Sequence, residues 1–360
     1  MKHLLIFIAL TYSLYCFAQF TAVPDTNFEN YLEQNGMGDG VPNNGLVLTA
    51  NIENVNTLLV YAKQIQDLTG IEDFAAVELI GCAYNNISYL DVSQNMNLRA
   101  LNCESSNVTE LLLPPTPTLE IVNCPENLLS ELNVSQNPGL MQLFCNINNI
   151  ASLDLTNNPV IDIVSAEYNN ISGFLDTTQN PVLTSIGVSH NLITGMDLTQ
   201  NPMLLGITAG RNPLESLDVR NGNNENIAVF NVYETSDYLE CILVDDASAS
   251  YLADWQKDPE TTFVNNQQEC DALGVNDLDR QNFVLYPNPA STEVFLNLPN
   301  HGFDGLLVMV TNSLGQVLER KERLENTTVI TLDISSYVAG IYFVTLKSRN
   351  NTTAKKLIVQ

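Results

Sequence analysis

Cys82, Cys103, Cys124 and Cys145 follow one another at a constant step of 21. A fixed period of this size marks a solenoid, in which each repeat adds one coil and buries its apolar face only against its neighbours. The register outlasts the cysteines. Ala166, Val188 and Ala209 continue it at steps of 21, 22 and 21; Val60 precedes Cys82 by a step of 22, and Val232 follows Ala209 by a step of 23. About nine coils result. A compact single-core enzyme is excluded for this stretch.

From Cys145 as origin, Leu140, Leu143, Asn148, Ile150 and Leu153 spell L-x-x-L-x-C-x-x-N-x-I-x-x-L. Leu119, Val122, Asn127, Leu129 and Leu132 repeat it around Cys124. Ile161, Val164, Asn169, Ile171 and Phe174 hold the same slots around Ala166. Over roughly residues 55–235 the chain resembles the leucine-rich repeat family, at the short end of its length range. The L-x-C alternation has period two, so it predicts a strand with its apolar side inward. Asn85, Asn127, Asn148, Asn169, Asn191 and Asn212 form a column just past that strand. The resemblance implies that this asparagine turns inward and bonds backbone groups left unpaired by the bend. Ser106 interrupts the column, so a local irregularity is expected there.

A second strand-like run follows in each coil, at Leu90-Asp91-Val92, Leu132-Asn133-Val134, Leu153-Asp154-Leu155, Met196-Asp197-Leu198 and Leu217-Asp218-Val219. Asn-Pro pairs at 137, 158, 180 and 201 close it, since proline cannot donate to a ladder. Two short strands per coil predict a flattened solenoid with two parallel sheets; the alternative is that only the first strand forms.

Residues 1–18 read as a secretory signal: Lys2 and His3, an apolar run, then Cys16-Phe17-Ala18. No later stretch is long and apolar enough for a membrane span. Residues 19–54 are expected to form an N-terminal cap. Asp25 or Thr26 caps a short helix that ends near Gln34, with Gly36 as its stop. The solenoid with its C-terminal cap is placed at 55–272 and a linker at 273–281. Cys241 and Cys270 fall outside the ladder, and in a secreted chain they are expected to form a disulfide, the alternative being two free thiols. The ladder cysteines are expected to be buried free thiols, because their side chains point the same way in register.

The remaining segment, 282–360, loses the period and changes charge. Residues 280–360 carry 8 Lys/Arg against 6 Asp/Glu, a net of +2; residues 1–279 carry 6 against 35, a net of −29. The acidic part disfavours nucleic acid as a partner. Seven strand-like runs in about 80 residues predict an immunoglobulin-like β-sandwich. The overall class is therefore mainly β: a solenoid, a short N-terminal capping helix and a terminal sandwich. Three landmarks stand in order: Tyr286-Pro287-Asn288-Pro289, then Gly340 and Tyr342, then Lys355-Lys356. A hairpin turn at Gly315 lies between the first two. Together they resemble the type A sorting domain of the bacterial type IX secretion system. That resemblance implies interaction with the secretion machinery and passage from the periplasm of a Gram-negative bacterium to its outer surface or beyond.

Residues suited to chemistry are few. The three histidines are His3, His190 and His301, and no nucleophile elbow, zinc-protease motif or phosphate loop occurs. No cofactor is expected. The repeat-periodic column Asp91, Asp154, Asp176, Asp197 and Asp218 reads as a solvated face, with weak divalent-cation binding as the alternative. Beside the first strand, Tyr84, Glu104, Glu126, Phe144, Ile147, Glu167, Tyr168 and Arg211 are expected to project outward as one recognition strip. The function this points to is non-catalytic binding of an extracellular protein or glycan. The alternative is an enzyme or inhibitor with a site in loops near 220–265.

Overall fold

The computed structural model describes residues 19–235, 239–276, 283–297, 307–322, 329–347 and 352–360. The expected signal segment, residues 277–281 of the expected linker and His301 lie outside the described residues. The chain divides into two compact units, Met1–Phe263 and Val264–Gln360.

One parallel sheet of ten strands runs the length of the solenoid, from Thr57–Leu59 to Gln256–Lys257, with one strand per coil. Each central residue, such as Ile80, Leu101, Val122, Leu143 and Val164, is buried, as is the cysteine slot after it. Burial of such a side chain stabilises by roughly 1.5–3 kcal/mol. The four ladder cysteines are free and fully buried. Burial pushes the thiols of Cys82 and Cys124 up to about 12, so they stay protonated and unreactive.

The bend after the strand is built on asparagine. The Asn148 amide donates to the carbonyls of Cys124 (3.0 Å) and Cys145 (3.1 Å) and accepts from Leu129 N–H at 3.0 Å. Asn169 repeats this one coil on. The expected irregularity at Ser106 is present and small. The coil carries a second left-handed residue, Asn107 at φ +60°, and Ile87 N–H bonds the Ser106 carbonyl, where an asparagine side chain accepts from the equivalent Leu129 and Ile150 N–H. The buried Ser106 hydroxyl donates to Cys82 O at 3.0 Å, and Asn127 accepts from Ser106 N–H and Val108 N–H. A hydroxyl keeps the carbonyl partner, and the acceptor role of the missing amide passes to the Ser106 main-chain carbonyl.

The opposite side departs from the regular second sheet. Tyr89–Asp91 pairs with Glu110–Leu112, and a separate sheet of five strands starts at Ser172–Asp176. The runs 132–134 and 153–155 are not strands. Neighbouring coils meet there through Asn149 N–H to Leu129 O and Ala151 N–H to Ser130 O, and the ladder then stops. Leu132, Val134, Leu153 and Leu155 are nevertheless buried. Apolar alternation thus fixed which side chains go inward without requiring a ladder. Phe174 is likewise not inward. A register shift between Gly173 and Phe174, with Gly173 at φ +80°, turns Leu175 into the core and leaves Phe174 57% exposed.

A second asparagine ladder lies at the turns that close each coil. Asn158 donates to Val134 O and Asn137 O, Asn180 to Leu155 O and Asn158 O, and Asn201 to Thr177 O and Asn180 O. The turn slot therefore depends on the buried asparagine as much as on the proline that follows it.

The helix Thr26–Gln34 begins at Asp25, whose Oδ1 accepts from Asn27 and Phe28 N–H and whose Oδ2 accepts from Gln66 N–H in the first coil. Phe28 and Leu32 join the solenoid core, and Gly36 ends the helix at φ +74°. At the far end of the core Phe230 stacks on Trp255 at 4.0 Å, and Phe263 meets both edge-on. Cys241 and Cys270 are disulfide-bonded.

The C-terminal unit is a β-sandwich. A three-stranded antiparallel sheet (Val284–Tyr286, Glu293–Asn297, Val329–Asp333) and a four-stranded one (Val317–Glu322, Leu307–Asn312, Gly340–Lys347, Thr352–Val359) share a core that includes Phe283, Val294, Val310, Leu332, Val344 and Leu357. No described helix is long and apolar enough to cross a membrane.

Candidate binding face and export domain

The first and third residues of each strand in the long sheet face away from the core. In three early coils the first of them is apolar: Leu79, Ala100 and Ile121 lie side by side. With Tyr61, Asn102, Asn123 and Phe144 they line a shallow depression of about 430 Å³. Tyr61 lies over Gly81, where a Cβ would meet the tyrosine oxygen and displace the ring from this position.

One bend residue per coil follows, two positions after the cysteine slot. These residues are Ala62, Tyr84, Ser105, Glu126, Ile147, Tyr168, His190, Arg211 and Glu234. All nine are left-handed, with φ between 49° and 59°. Their N–H groups continue the ladder to the next coil, as in Tyr84 to Glu104 O and Ile147 to Glu167 O, while the reversal sends the next residue inward. The conformation costs a non-glycine residue roughly 1–2 kcal/mol, and it is a greater outlier for β-branched Ile147. Large side chains nonetheless project there: Tyr84, Ile147 and Tyr168 are about half exposed.

The row pairs along itself. Tyr84 Oη donates to Glu104 at 2.8 Å, and Ser105 Oγ to Glu126 at 2.7 Å. Tyr168 stacks on His190 at 4.0 Å, Arg211 lies 3.5 Å from His190, and Arg211 pairs with Glu234 at 2.6 Å. Of the residues expected in one strip, Phe144 lies on the strand face. Tyr84, Glu126, Ile147, Tyr168 and Arg211 lie on the bend. Glu104 and Glu167 precede it by one position. Sequence reasoning missed Tyr61, Leu79 and Ile121. Their signal was available, since the last two are apolar at slots where period-two alternation calls for polar residues.

The Asp column is occupied with its own turns. Asp91, Asp154, Asp176, Asp197 and Asp218 each accept from the N–H two residues on, at 2.9–3.1 Å. The Thr156 hydroxyl, then its amide, holds the Asp154 carboxyl below the ordinary carboxylate value. Among the described residues no group of three or more His, Cys, Asp or Glu is arranged to hold a metal ion.

In the C-terminal unit the separate sequence landmarks meet. Asn288 Nδ2 donates to Lys356 O at 2.7 Å, and its Oδ1 accepts from Ile358 N–H at 2.9 Å. Ala290 N–H bonds Ile358 O, and Gln360 N–H bonds Ala290 O. The Tyr286-Pro287-Asn288-Pro289 segment therefore clamps the end of the last strand. Tyr286 is exposed, and Lys355 lies over the Phe283 ring at 5.5 Å. Tyr342 Oη donates to Val338 O. Gly315, at φ +78°, completes a hairpin in which Asn312 Oδ1 accepts from the N–H groups of Leu314 and Gln316.

Residues 284–360 match the family described as the secretion system C-terminal sorting domain. Over 76 residues the chain is 37% identical to beta-agarase A of Zobellia galactanivorans, a match covering 21% of this chain and 13% of that protein. Among solved structures, the functional domain of InlJ from Listeria monocytogenes, which includes a cysteine ladder, aligns over 95% of this chain and 99% of its own, with 18% identity and a TM-score of 0.43. The leucine-rich effector YopM of Yersinia pestis aligns over 58% and 61%, with 19% identity and a TM-score of 0.44. Residues 284–360 thus form a secretion system sorting domain of the type IX kind, in a chain whose larger part is a parallel β-solenoid of about 21-residue coils. That domain marks it for the cell surface or the extracellular space.

Proposed function

We propose that the solenoid, residues 55–272 with an N-terminal cap at 19–54, is a non-catalytic binding module for an extracellular protein or glycan. The sorting domain at 282–360 carries it from the periplasm across the outer membrane of a Gram-negative bacterium. The observation that supports binding most is the bend row. Tyrosine, isoleucine and arginine occupy left-handed positions that glycine or asparagine would fill at lower cost, and they face solvent. Strained positions that keep large exposed side chains mark a contact surface. In the loops near 220–265 two carboxylates of the described residues have structural roles. There Asp245 accepts from Gly222 and Asn224 N–H, and Asp258 accepts from Glu234 and Thr235 N–H, so these carboxylates close their own loops.

A pull-down with the solenoid against surface glycans and extracellular proteins supplies the ligand. Phe144→Ala and Tyr168→Ala are then expected to weaken it by about 1–3 kcal/mol each, and Asp154→Ala to leave it unchanged. The reverse pattern moves the site to the Asp column. Deletion of 282–360 in the native host is expected to abolish appearance outside the outer membrane. Normal amounts outside would overturn the export reading.

A further inference from the structure

Taking the outer face of the long sheet as the contact surface proposed above, we propose that the depression at its N-terminal end receives a basic amphiphilic polypeptide segment of a partner. In this reading arginine or lysine side chains lay their aliphatic stems over Leu79, Ala100 and Ile121 and carry their charges to the acidic rim. The floor is apolar, and Tyr61 and Phe144 stand beside it, a setting that suits both a long methylene stem and a cation over a ring. The rim is where the chain leaves the lining asparagines: Glu104 follows Asn102 by two residues and Glu126 follows Asn123 by three. Neither carboxylate is paired with a cation among the described residues. Glu104 is met by the Tyr84 hydroxyl and Glu126 by the Ser105 hydroxyl, both neutral donors. The nearby cations are already engaged: Arg99 forks onto both oxygens of Glu120 at 2.9 and 3.0 Å, and Lys63, two residues beyond Tyr61, lies over the Tyr31 ring at 5.6 Å.

Charge across the coils points the same way. Residues 64–210 hold a single basic residue, Arg99, against 15 acidic ones. A face of one sign, next to an apolar depression, selects a partner of the opposite sign with apolar content. A bare divalent ion fits less well. The floor of Leu79, Ala100 and Ile121 is apolar, and the described residues hold no group of three or more His, Cys, Asp or Glu arranged as ligands. A neutral glycan leaves the rim charges unanswered.

The test is fluorescence anisotropy of the full chain with three labelled octapeptides, alternating arginine–leucine, serine–leucine and glutamate–leucine. The arginine–leucine peptide is expected to bind tightest. Ile121→Ser, and separately the double variant Glu104→Gln/Glu126→Gln, are each expected to raise its Kd about tenfold. Asp154→Asn/Asp176→Asn removes the same charge from the opposite side and is expected to shift it less than about twofold. Ile121 is only half-buried on the outer face, so the serine variant is expected to fold, as its melting temperature would verify. Equal losses in the two double variants would reduce the effect to diffuse attraction and overturn the proposal. Displacement of the peptide by calcium at low ionic excess, lost in the Glu104/Glu126 double variant, would replace it with a cation site. If the serine–leucine peptide binds equally well and responds to Ile121→Ser, the basic partner is wrong while the contact face stands. If no peptide responds to Ile121→Ser, the face reading fails at this depression as well.

Discussion

The solenoid and the sandwich bury short strands by opposite routes. In the solenoid the structural bonds are near in sequence: Asn148 reaches Cys124, 24 residues back, and Leu129, 19 back. In the sandwich Asn288 reaches Lys356 and Ile358, 68 and 70 residues ahead. The first arrangement is a stack of near-identical local solutions, so its stability approximates a sum over coils and their interfaces. The second closes only when the two ends of its sequence have met. The lesson is that damage should stay local in one unit and spread through the other. The charge contrast, −29 over residues 1–279 and +2 over residues 280–360, adds that only the solenoid builds a strongly one-signed surface.

The largest expected effect tests that locality. Cys124→Asp buries an unpaired charge in the thiol ladder and is expected to cost more than about 4 kcal/mol. Hydrogen exchange should show lost protection around residues 100–150 and retained protection beyond 190. Val344→Asp in the sandwich is expected to expose that whole unit. Uniform loss along the solenoid would break the comparison. Cys124→Ala should be mild, because Ala166 and Ala209 already fill the slot.

Next comes alkaline unfolding. The folded thiols of Cys82 and Cys124 sit at about 12, against an ordinary 9.0, because burial disfavours the thiolate. A raised value means the stabilisation is complete below pH about 9 and is lost as pH rises from there towards 12. Each thiol contributes a slope of roughly 1.4 kcal/mol per pH unit in that window. Denaturant midpoints of the wild type should therefore fall above pH about 9 more steeply than those of a variant with alanine in all four slots. Parallel curves would remove the thiols from the account.

The sequence showed the solenoid at once because a period copied through nine slots leaves little freedom: slot, strand and asparagine column all share it. What it did not show depends on geometry inside one coil. The register shift at Gly173/Phe174 comes from one glycine at positive φ, and pattern matching placed Phe174 where Leu175 belongs. The missing strands at 132–134 and 153–155 leave burial unchanged, so alternation carried no trace of them. The left-handed bend row was hidden because its residues are tyrosine, isoleucine, histidine and arginine, types that do not signal that conformation. Tyr61 rests against Gly81 in the depression, a close approach that no spacing reveals. In the sandwich the landmarks were legible as separate motifs, but their union through the Asn288 amide was not.

Asn288→Ala sharpens the comparison at smaller scale. It removes two bonds that join the ends of the sandwich, at an expected cost of about 1–3 kcal/mol, read as a lower melting transition of that unit and reduced export. The solenoid transition should not move. A shift in both would mean that the units unfold together.

The smallest expected effect is at Asp154. Its Oδ1 accepts from the N–H and hydroxyl of Thr156 at 3.0 and 2.7 Å. In the coil before it, Asn133 makes the same two bonds to Ser135 at 3.0 and 2.7 Å. An amide oxygen therefore already serves in this turn, and Asp154→Asn is expected to change stability by less than about 0.5 kcal/mol. The two side chains should separate only in acid. A lowered carboxyl value means that Asp154 stabilises the fold above its unfolded value, near 3.9, and loses that contribution as pH falls through the folded value. The asparagine variant has no such proton to bind, so its melting temperature should decline slightly less than the wild type's below pH about 4. A large loss at neutral pH would show instead that the charge itself matters at this position, and would return the Asp column to consideration as a cation-binding strip.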